Sequence, residues 1–66
     1  MQLIVNGEVR EAAENLTLGA FLASCSLPSQ MVVVERNGEI VAREKYDRTP
    51  LKHSDILEIV QMMAGG

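Results

Sequence analysis

The sequence predicts an α+β fold, in which a mixed sheet of about five strands is wrapped around a single helix. Two Asn-Gly pairs, at residues 6–7 and 37–38, each follow a short apolar run, which is a strong hairpin signal. Between the two hairpins lies one stripe of apolar residues at helical spacing, and a further apolar run comes near the end of the chain. The predicted element order is therefore ββαβββ, and the right-handed crossover rule leaves few alternative topologies.

Composition limits the classes of protein to which the chain can belong. Its 66 residues, 47% of them hydrophobic, predict one small globular domain. The net charge of −3, with scattered basic residues, argues against nucleic acid or an anionic membrane as a partner. One cysteine and one histidine exclude an internal disulfide and a typical zinc site. With no signal peptide and no membrane-length apolar run, we expect a cytoplasmic protein that is monomeric when free.

The first half of the chain predicts a hairpin and the helix. Strands are predicted over 1–6, with Leu3 and Val5 on one face, and over 8–12, with Val9 facing the core. Thr17 is the expected N-cap of the helix. The helical stripe consists of Leu18, Phe21, Leu22 and Cys25, and Pro28 requires the helix to end near residues 25–26.

The second half predicts three strands, over 31–36, 39–42 and 56–61. Residues 43–50 are polar and are expected to be irregular, with Leu51 filling the core beneath them. Glu35 and Glu58 should face solvent, which directs Leu57 and Ile59 towards the helix. Four apolar residues are then left on the helix-free face, where they suggest a partner site: Ile4, Val33, Val60 and Met62.

The chain ends in a segment without bulky side chains, Ala64-Gly65-Gly66, which is predicted to be part of a flexible tail over about 62–66. Chain ends are commonly frayed and without function. Alternatively, the terminal carboxylate is the working group, because glycine has no Cβ and can enter a slot too narrow for a side chain. Elsewhere, Cys25 is expected to pack in the core rather than relay sulfur, and His53 to be a solvated loop residue without a partner.

The whole chain resembles the ThiS family, sulfur carriers of thiamine biosynthesis with a ubiquitin-like β-grasp fold. The resemblance lies in the opening Met1-Gln2-Leu3, the two Asn-Gly turns, the helix over 17–25 and the Ala64-Gly65-Gly66 end, combined with small size. It implies that a ThiF-type adenylating enzyme uses ATP and magnesium to adenylate the carboxylate of Gly66. A sulfur donor such as a cysteine desulfurase would then form a thiocarboxylate, from which a ThiG-type thiazole synthase takes the sulfur.

This resemblance makes the chain a carrier and co-substrate, not an enzyme, with no bound cofactor or metal of its own. Gly65 and Ala64 would thread into the partner, while Met62, Val60, Ile4 and Val33 would dock on it. The sequence leaves three alternatives open: a small subunit of molybdopterin synthase (MoaD-like), a ubiquitin-like protein modifier, and a plain interaction domain with an inert tail. It lacks the aromatic and proline residues that often precede the Gly-Gly of the molybdopterin subunit.

Overall fold

The computed structural model describes residues 1–62, and within them the predicted order ββαβββ is confirmed. The elements are β1 (Gln2–Val5), β2 (Glu8–Glu11), α1 (Leu18–Ser24), β3 (Val32–Arg36), β4 (Glu39–Ile40) and β5 (Ile56–Gln61), with 3-10 helices at Ser29–Met31 and Arg43–Arg48. No helix in this part of the chain is long and apolar enough to cross a membrane.

The five strands form one mixed sheet in the order β2-β1-β5-β3-β4. The last strand, β5, lies at the centre, parallel to β1 on one side and antiparallel to β3 on the other. The two hairpins, β1–β2 and β3–β4, supply the antiparallel outer pairs. The strand that leads to the C-terminal segment is therefore held between two neighbours.

The core lies between α1 and the inner face of the sheet. From the helix, Leu18 and Leu22 are completely buried; from the sheet, Leu3, Val34 and Leu57 are also at 0% exposure. Burial of each such side chain contributes about 1.5–3 kcal/mol. Because Leu57 is buried while its neighbour Glu58 is exposed, the predicted register of the last strand is confirmed.

Helix α1 begins and ends as its sequence predicts. The side-chain oxygen of Thr17 accepts a hydrogen bond from the amide of Ala20 at 3.1 Å. Cys25 is the C-cap, and Ser26 has a positive φ of 59°, so the helix cannot continue. Gly19 serves packing: a Cβ there would overlap the carboxylate of Asp47, which the second 3-10 helix carries over this turn.

The prediction that Val9 faces the core is wrong. Val9 is 65% exposed and lies opposite Ile4, so both side chains are on the helix-free face. Its neighbour Arg10 is on the inner side instead, with its guanidinium 6.0 Å from the centre of the Phe21 ring. On this edge strand the inner position is filled by a long cationic side chain that covers an aromatic ring.

The segment after the second hairpin also differs from expectation. Strand β4 covers only the first two residues of the predicted 39–42, although the Val41 amide still donates to the Val34 carbonyl at 2.9 Å, and the 3-10 helix begins directly after Ala42. Residues 43–50 are thus partly helical, and they bury Tyr46 at 3% exposure with its hydroxyl donating to the carbonyl of Val32 at 3.2 Å. Leu51 is 5% exposed, as predicted for a core residue beneath this segment.

Candidate docking face and C-terminal segment

The sheet face turned away from α1, here called the outer face, carries an unusual number of apolar side chains. Val60 is 62% exposed, Ile56 47% and Met62 44%, whereas Ile4 and Val33 are half-buried. Val9 and Ile40 complete the set at the two edges of the sheet. The structure therefore places the four predicted residues, Ile4, Val33, Val60 and Met62, on one side of the sheet. Their contact with a partner stays a prediction.

The apolar residues nearest the C-terminal segment come from β3 and β5. Val33 lies directly opposite Val60 in the antiparallel pair. One step further along, the amide of Met62 donates to the carbonyl of Met31 at 2.6 Å, which extends the pairing beyond the end of β5. Val33, Val60 and Met62 thus form one end of the outer face, and Met62 is the last residue of the described part of the chain.

The side chain of Asn6 holds β5 where the backbone of β1 stops. Its amide nitrogen donates to the carbonyl of Ile59 at 3.1 Å, and its oxygen accepts from the amide of Ile59 at 2.7 Å. Asn6 has a φ of 51° and leads the turn, so it can no longer offer strand geometry itself. Its side chain takes over the pairing and keeps β5 in register.

A buried carboxylate fixes the other end of β5. Asp55, at 6% exposure, accepts hydrogen bonds from the Arg36 Nε at 2.9 Å, the Asn37 Nδ2 at 3.0 Å and the Lys52 amide at 2.8 Å. Burial alone would raise the pKa of Asp55, but the hydrogen bonds from Asn37 and Lys52 and the Arg36 guanidinium together lower it. The group therefore stays ionised and ties the second hairpin to the start of β5.

The remaining candidate residues do not assemble into a reactive centre. Cys25 is half-buried and packs against the core, as predicted, with its Sγ 3.7 Å from an Arg10 nitrogen. His53 is an exposed turn residue, as predicted, but it does have a partner, since its Nδ1 accepts a hydrogen bond from the Gln2 amide at 3.0 Å. In residues 1–62, no three His, Cys, Asp or Glu side chains are grouped as metal ligands. Ala64, Gly65 and Gly66 lie outside the described residues, so their roles stay predictions.

Comparison with known proteins identifies the family to which this combination of fold and sequence corresponds. The model of the ThiS family matches residues 3–66. The chain is 38% identical over 65 residues to the sulfur carrier protein ThiS of Bacillus subtilis (strain 168), covering 97% of this chain and 98% of that protein. It is also 39% identical over 66 residues to the thiazole synthase of Paramagnetospirillum magneticum (strain ATCC 700264 / AMB-1), although it spans only 20% of that protein's length.

Solved structures agree with this fold over the whole chain. The crystal structure of the thiamine biosynthesis protein ThiS from Geobacter metallireducens superimposes with a TM-score of 0.85, at 36% identity and with 100% of both chains covered. The NMR solution structure of a thiamine biosynthesis protein from Geobacter metallireducens superimposes with a TM-score of 0.81, also at 36% identity, and the match covers 100% of this chain and 88% of that one. The expected ubiquitin-like β-grasp is confirmed by these matches.

Proposed function

The chain belongs to the ThiS family of sulfur carrier proteins for thiamine biosynthesis, and we propose that it carries sulfur as a thiocarboxylate on Gly66. As a member of this family it is a carrier rather than an enzyme. One observation supports Gly66 as the reacting residue: β5, at the centre of the sheet, ends beside the apolar Val33–Val60 pair of the outer face, five residues before Gly66 in the sequence.

The proposed chemistry needs an activating enzyme because a carboxylate is a poor electrophile. The carboxylate oxygen of Gly66 attacks the α-phosphorus of ATP, and pyrophosphate leaves. A persulfide on the sulfur donor, of the cysteine desulfurase class, then attacks the carbonyl carbon, and AMP leaves. Two thiol equivalents reduce the resulting acyl disulfide to the thiocarboxylate, forming a disulfide. Magnesium and the donors that stabilise charge at phosphate belong to the activating enzyme. We place the cycle in the cytoplasm, where such thiols are abundant.

We propose thiazole synthase as the acceptor of the sulfur. Support comes from the thiazole synthase of Paramagnetospirillum magneticum, since this chain aligns along its full length with a segment of that protein. A carrier-like segment within an acceptor-type enzyme is the arrangement expected if the two act on each other. Purified thiocarboxylate carrier, offered separately to thiazole synthase and to the large subunit of molybdopterin synthase, tests this choice. Sulfur transfer to the molybdopterin enzyme alone would refute it.

The central experiment is intact-mass analysis after incubation with the activating enzyme, ATP, magnesium and a sulfur donor. We expect one oxygen to be exchanged for sulfur, and fragmentation to locate the sulfur at Gly66. A chain without Gly66 should remain unchanged, because near-attack geometry tolerates only small displacement of the reacting group. The Cys25→Ser chain serves as the matched control and should still gain sulfur. Sulfur on Cys25, or charging of the chain that lacks Gly66, would show that the assignment is wrong.

Docking is proposed to use the end of the outer face that is formed by Val33, Val60 and Met62, where the described part of the chain ends. Val60 and Val9 provide a matched pair of tests, because both are exposed valines, at 62% and 65%, on the same face of the sheet. Val9 lies on the edge strand β2, two strands away from β5. Val60→Asn should weaken binding to the activating enzyme about 10- to 100-fold, since a valine buried on docking contributes about 1.5–3 kcal/mol. Val9→Asn should bind as the unchanged chain does, and equal losses in both variants would contradict the placement.

A further inference from the structure

We propose that the outer face receives a basic side chain of the activating enzyme, Arg or Lys, between Glu35 and Glu58. This inference rests on the proposed function, because it concerns the partner that takes the C-terminal carboxylate. Glu35 and Glu58 lie directly opposite each other in the β3–β5 pair, and both are exposed. Directly opposed residues have Cβ atoms only about 4.5–5.5 Å apart, so two like charges in this position destabilise the sheet.

The chain supplies neither glutamate with a compensating cation. In residues 1–62, the ion pairs are those of the Met1 α-amino group with Glu14 and of Arg36 with Asp55. Arg36 lies on the inner side of β3, next to Asp55, and Arg10 covers the Phe21 ring, also on the inner side. Residues 63–66 contain no lysine or arginine. The repulsion between Glu35 and Glu58 is therefore left for a partner to relieve.

The surroundings of this acidic pair are apolar. Val33 and Val60 form the next cross-strand pair along β3 and β5, and Ile40 lies opposite Glu35 on the other side, in β4. Val60 and Ile40 are 62% and 71% exposed. A long basic side chain matches such a site, because its methylene stem contacts the apolar residues while its charged head lies between two carboxylates. Arg is the better match, since its planar guanidinium can donate to both carboxylates at once.

Charge decides against the other occupants of this face. A second copy of the chain, docked face to face, would offer the acidic pair no basic residue from its strands, because Arg10 and Arg36 both lie on the inner side of the sheet. Nucleic acid and anionic membranes would be repelled by the acidic pair. A protein surface with a basic residue inside an apolar rim is the partner whose charge is complementary. The acidic pair is also followed along β3 and β5 by the Val33–Val60 pair, at the end of the face where β5 ends.

The proposal makes stability and binding respond in opposite directions to the same substitution. Glu35→Gln and Glu58→Gln each remove the repulsion, so each should raise the Tm of the free protein by a few degrees. Each should also weaken binding to the activating enzyme, measured without ATP, by about 3- to 10-fold, and flatten the dependence of Kd on salt. Glu44→Gln is the matched control, because Glu44 is exposed on the second 3-10 helix. It changes net charge equally and should leave Kd unaffected.

The double variant, Glu35→Gln with Glu58→Gln, gives the decisive comparison. The proposal is overturned if this variant binds as tightly as Glu44→Gln, if its Tm falls, or if the loss of affinity is the same at high and low salt. A loss seen with thiazole synthase but not with the activating enzyme would overturn the choice of partner. At saturating activating enzyme the double variant should still gain sulfur at Gly66. If the unchanged chain gains sulfur but neither glutamate substitution alters the Kd for the activating enzyme, this inference alone is rejected. If no sulfur appears on Gly66, the proposed function is rejected.

Discussion

Replacing Asp55 by alanine should be among the most destabilising single changes in this protein. The Asp55 carboxylate is 6% exposed and accepts three hydrogen bonds, from the Arg36 side chain at 2.9 Å, the Asn37 side chain at 3.0 Å and the Lys52 amide at 2.8 Å. These bonds join the β3–β4 turn, the loop before β5 and the start of β5 itself. Asp55→Ala removes the shared acceptor and leaves all three donors without it.

The expected cost is about 2–4 kcal/mol in the free energy of unfolding. A hydrogen bond to a charged group contributes about 1.5–3 kcal/mol net. The sum over three bonds overstates the loss, because Arg36 and Asn37 reach solvent and can be hydrated again. At about 0.05–0.15 kcal/mol per residue, a chain of 66 residues has about 3–10 kcal/mol in total. The substitution should therefore lower Tm by roughly 10–30 °C.

Urea and thermal unfolding followed by circular dichroism at neutral pH measure this cost. Asp47→Ala is the matched control, because Asp47 is exposed and its carboxylate accepts no hydrogen bond from the side chains or backbone amides of residues 1–62. It should change the free energy of unfolding by less than about 0.5 kcal/mol. A cost for Asp55→Ala no larger than that of the control would refute the view that this carboxylate joins the second hairpin to β5.

The same carboxylate predicts the direction of the pH dependence. Although burial would raise its pKa, the hydrogen bonds from Asn37 and Lys52 and the Arg36 charge lower the pKa of Asp55 in the folded protein. Its stabilising contribution is therefore fully present above the unfolded pKa of about 3.9 and is lost as pH falls through the lower, folded value. The free energy of unfolding should fall in this acid range. Asp55→Ala should show a shallower fall, and an unchanged slope would contradict the assignment.

Two further predictions concern the core. Leu57→Ala should lower the free energy of unfolding by about 2–5 kcal/mol, because Leu57 is completely buried. Val60→Ala on the same strand should have little effect, because Val60 is exposed. If urea titrations gave the reverse order, the register of β5 would be wrong by one residue. Tyr46→Phe should cost about 1 kcal/mol, because the buried Val32 carbonyl loses its hydroxyl donor at 3.2 Å, and thermal unfolding without any loss would rule out that hydrogen bond.

Local patterns were sufficient to predict the elements and most of the sheet faces. Thr17 as a cap, Pro28 beyond the helix and the two Asn-Gly turns are short-range signals, and each corresponds to an observed helix or hairpin boundary. The alternation around Glu58 correctly separates Leu57 from Val60 because strand periodicity needs no knowledge of the partner strand.

The errors arise where the identity of a residue and its geometry disagree. The apolar side chain of Val9 predicts an inward position, yet a two-residue turn pairs Val5 with Glu8 and therefore Ile4 with Val9. The register that a two-residue turn imposes on the hairpin therefore predicts the outward position of Val9 correctly. Tyr46 was missed for another reason: its partner Val32 is in a different element, and no periodicity in residues 43–50 indicates that contact.

The role of Gly19 is likewise a tertiary effect. In sequence it is a weak helix former in a first turn, where its cost is small. In the structure the second 3-10 helix places the Asp47 carboxylate over Gly19, so a Cβ at this position would require the exposed Asp47 side chain to move. The predicted functions of Ala64, Gly65 and Gly66 depend on another protein's active site, so no folding rule acting within this chain can derive them.

The two turn asparagines connect the hairpin turns to the central strand β5. Each has a positive φ, 51° for Asn6 and 52° for Asn37, as its hairpin turn requires. Each also turns its side chain onto β5: Asn6 pairs with both backbone groups of Ile59, and the Asn37 oxygen accepts from the amide of Ile56 at 2.9 Å. Aspartate would tolerate the same turns but could not donate to the Ile59 carbonyl. The hairpins therefore hold the central strand from both sides and fix the register in which β5 presents its residues on the outer face.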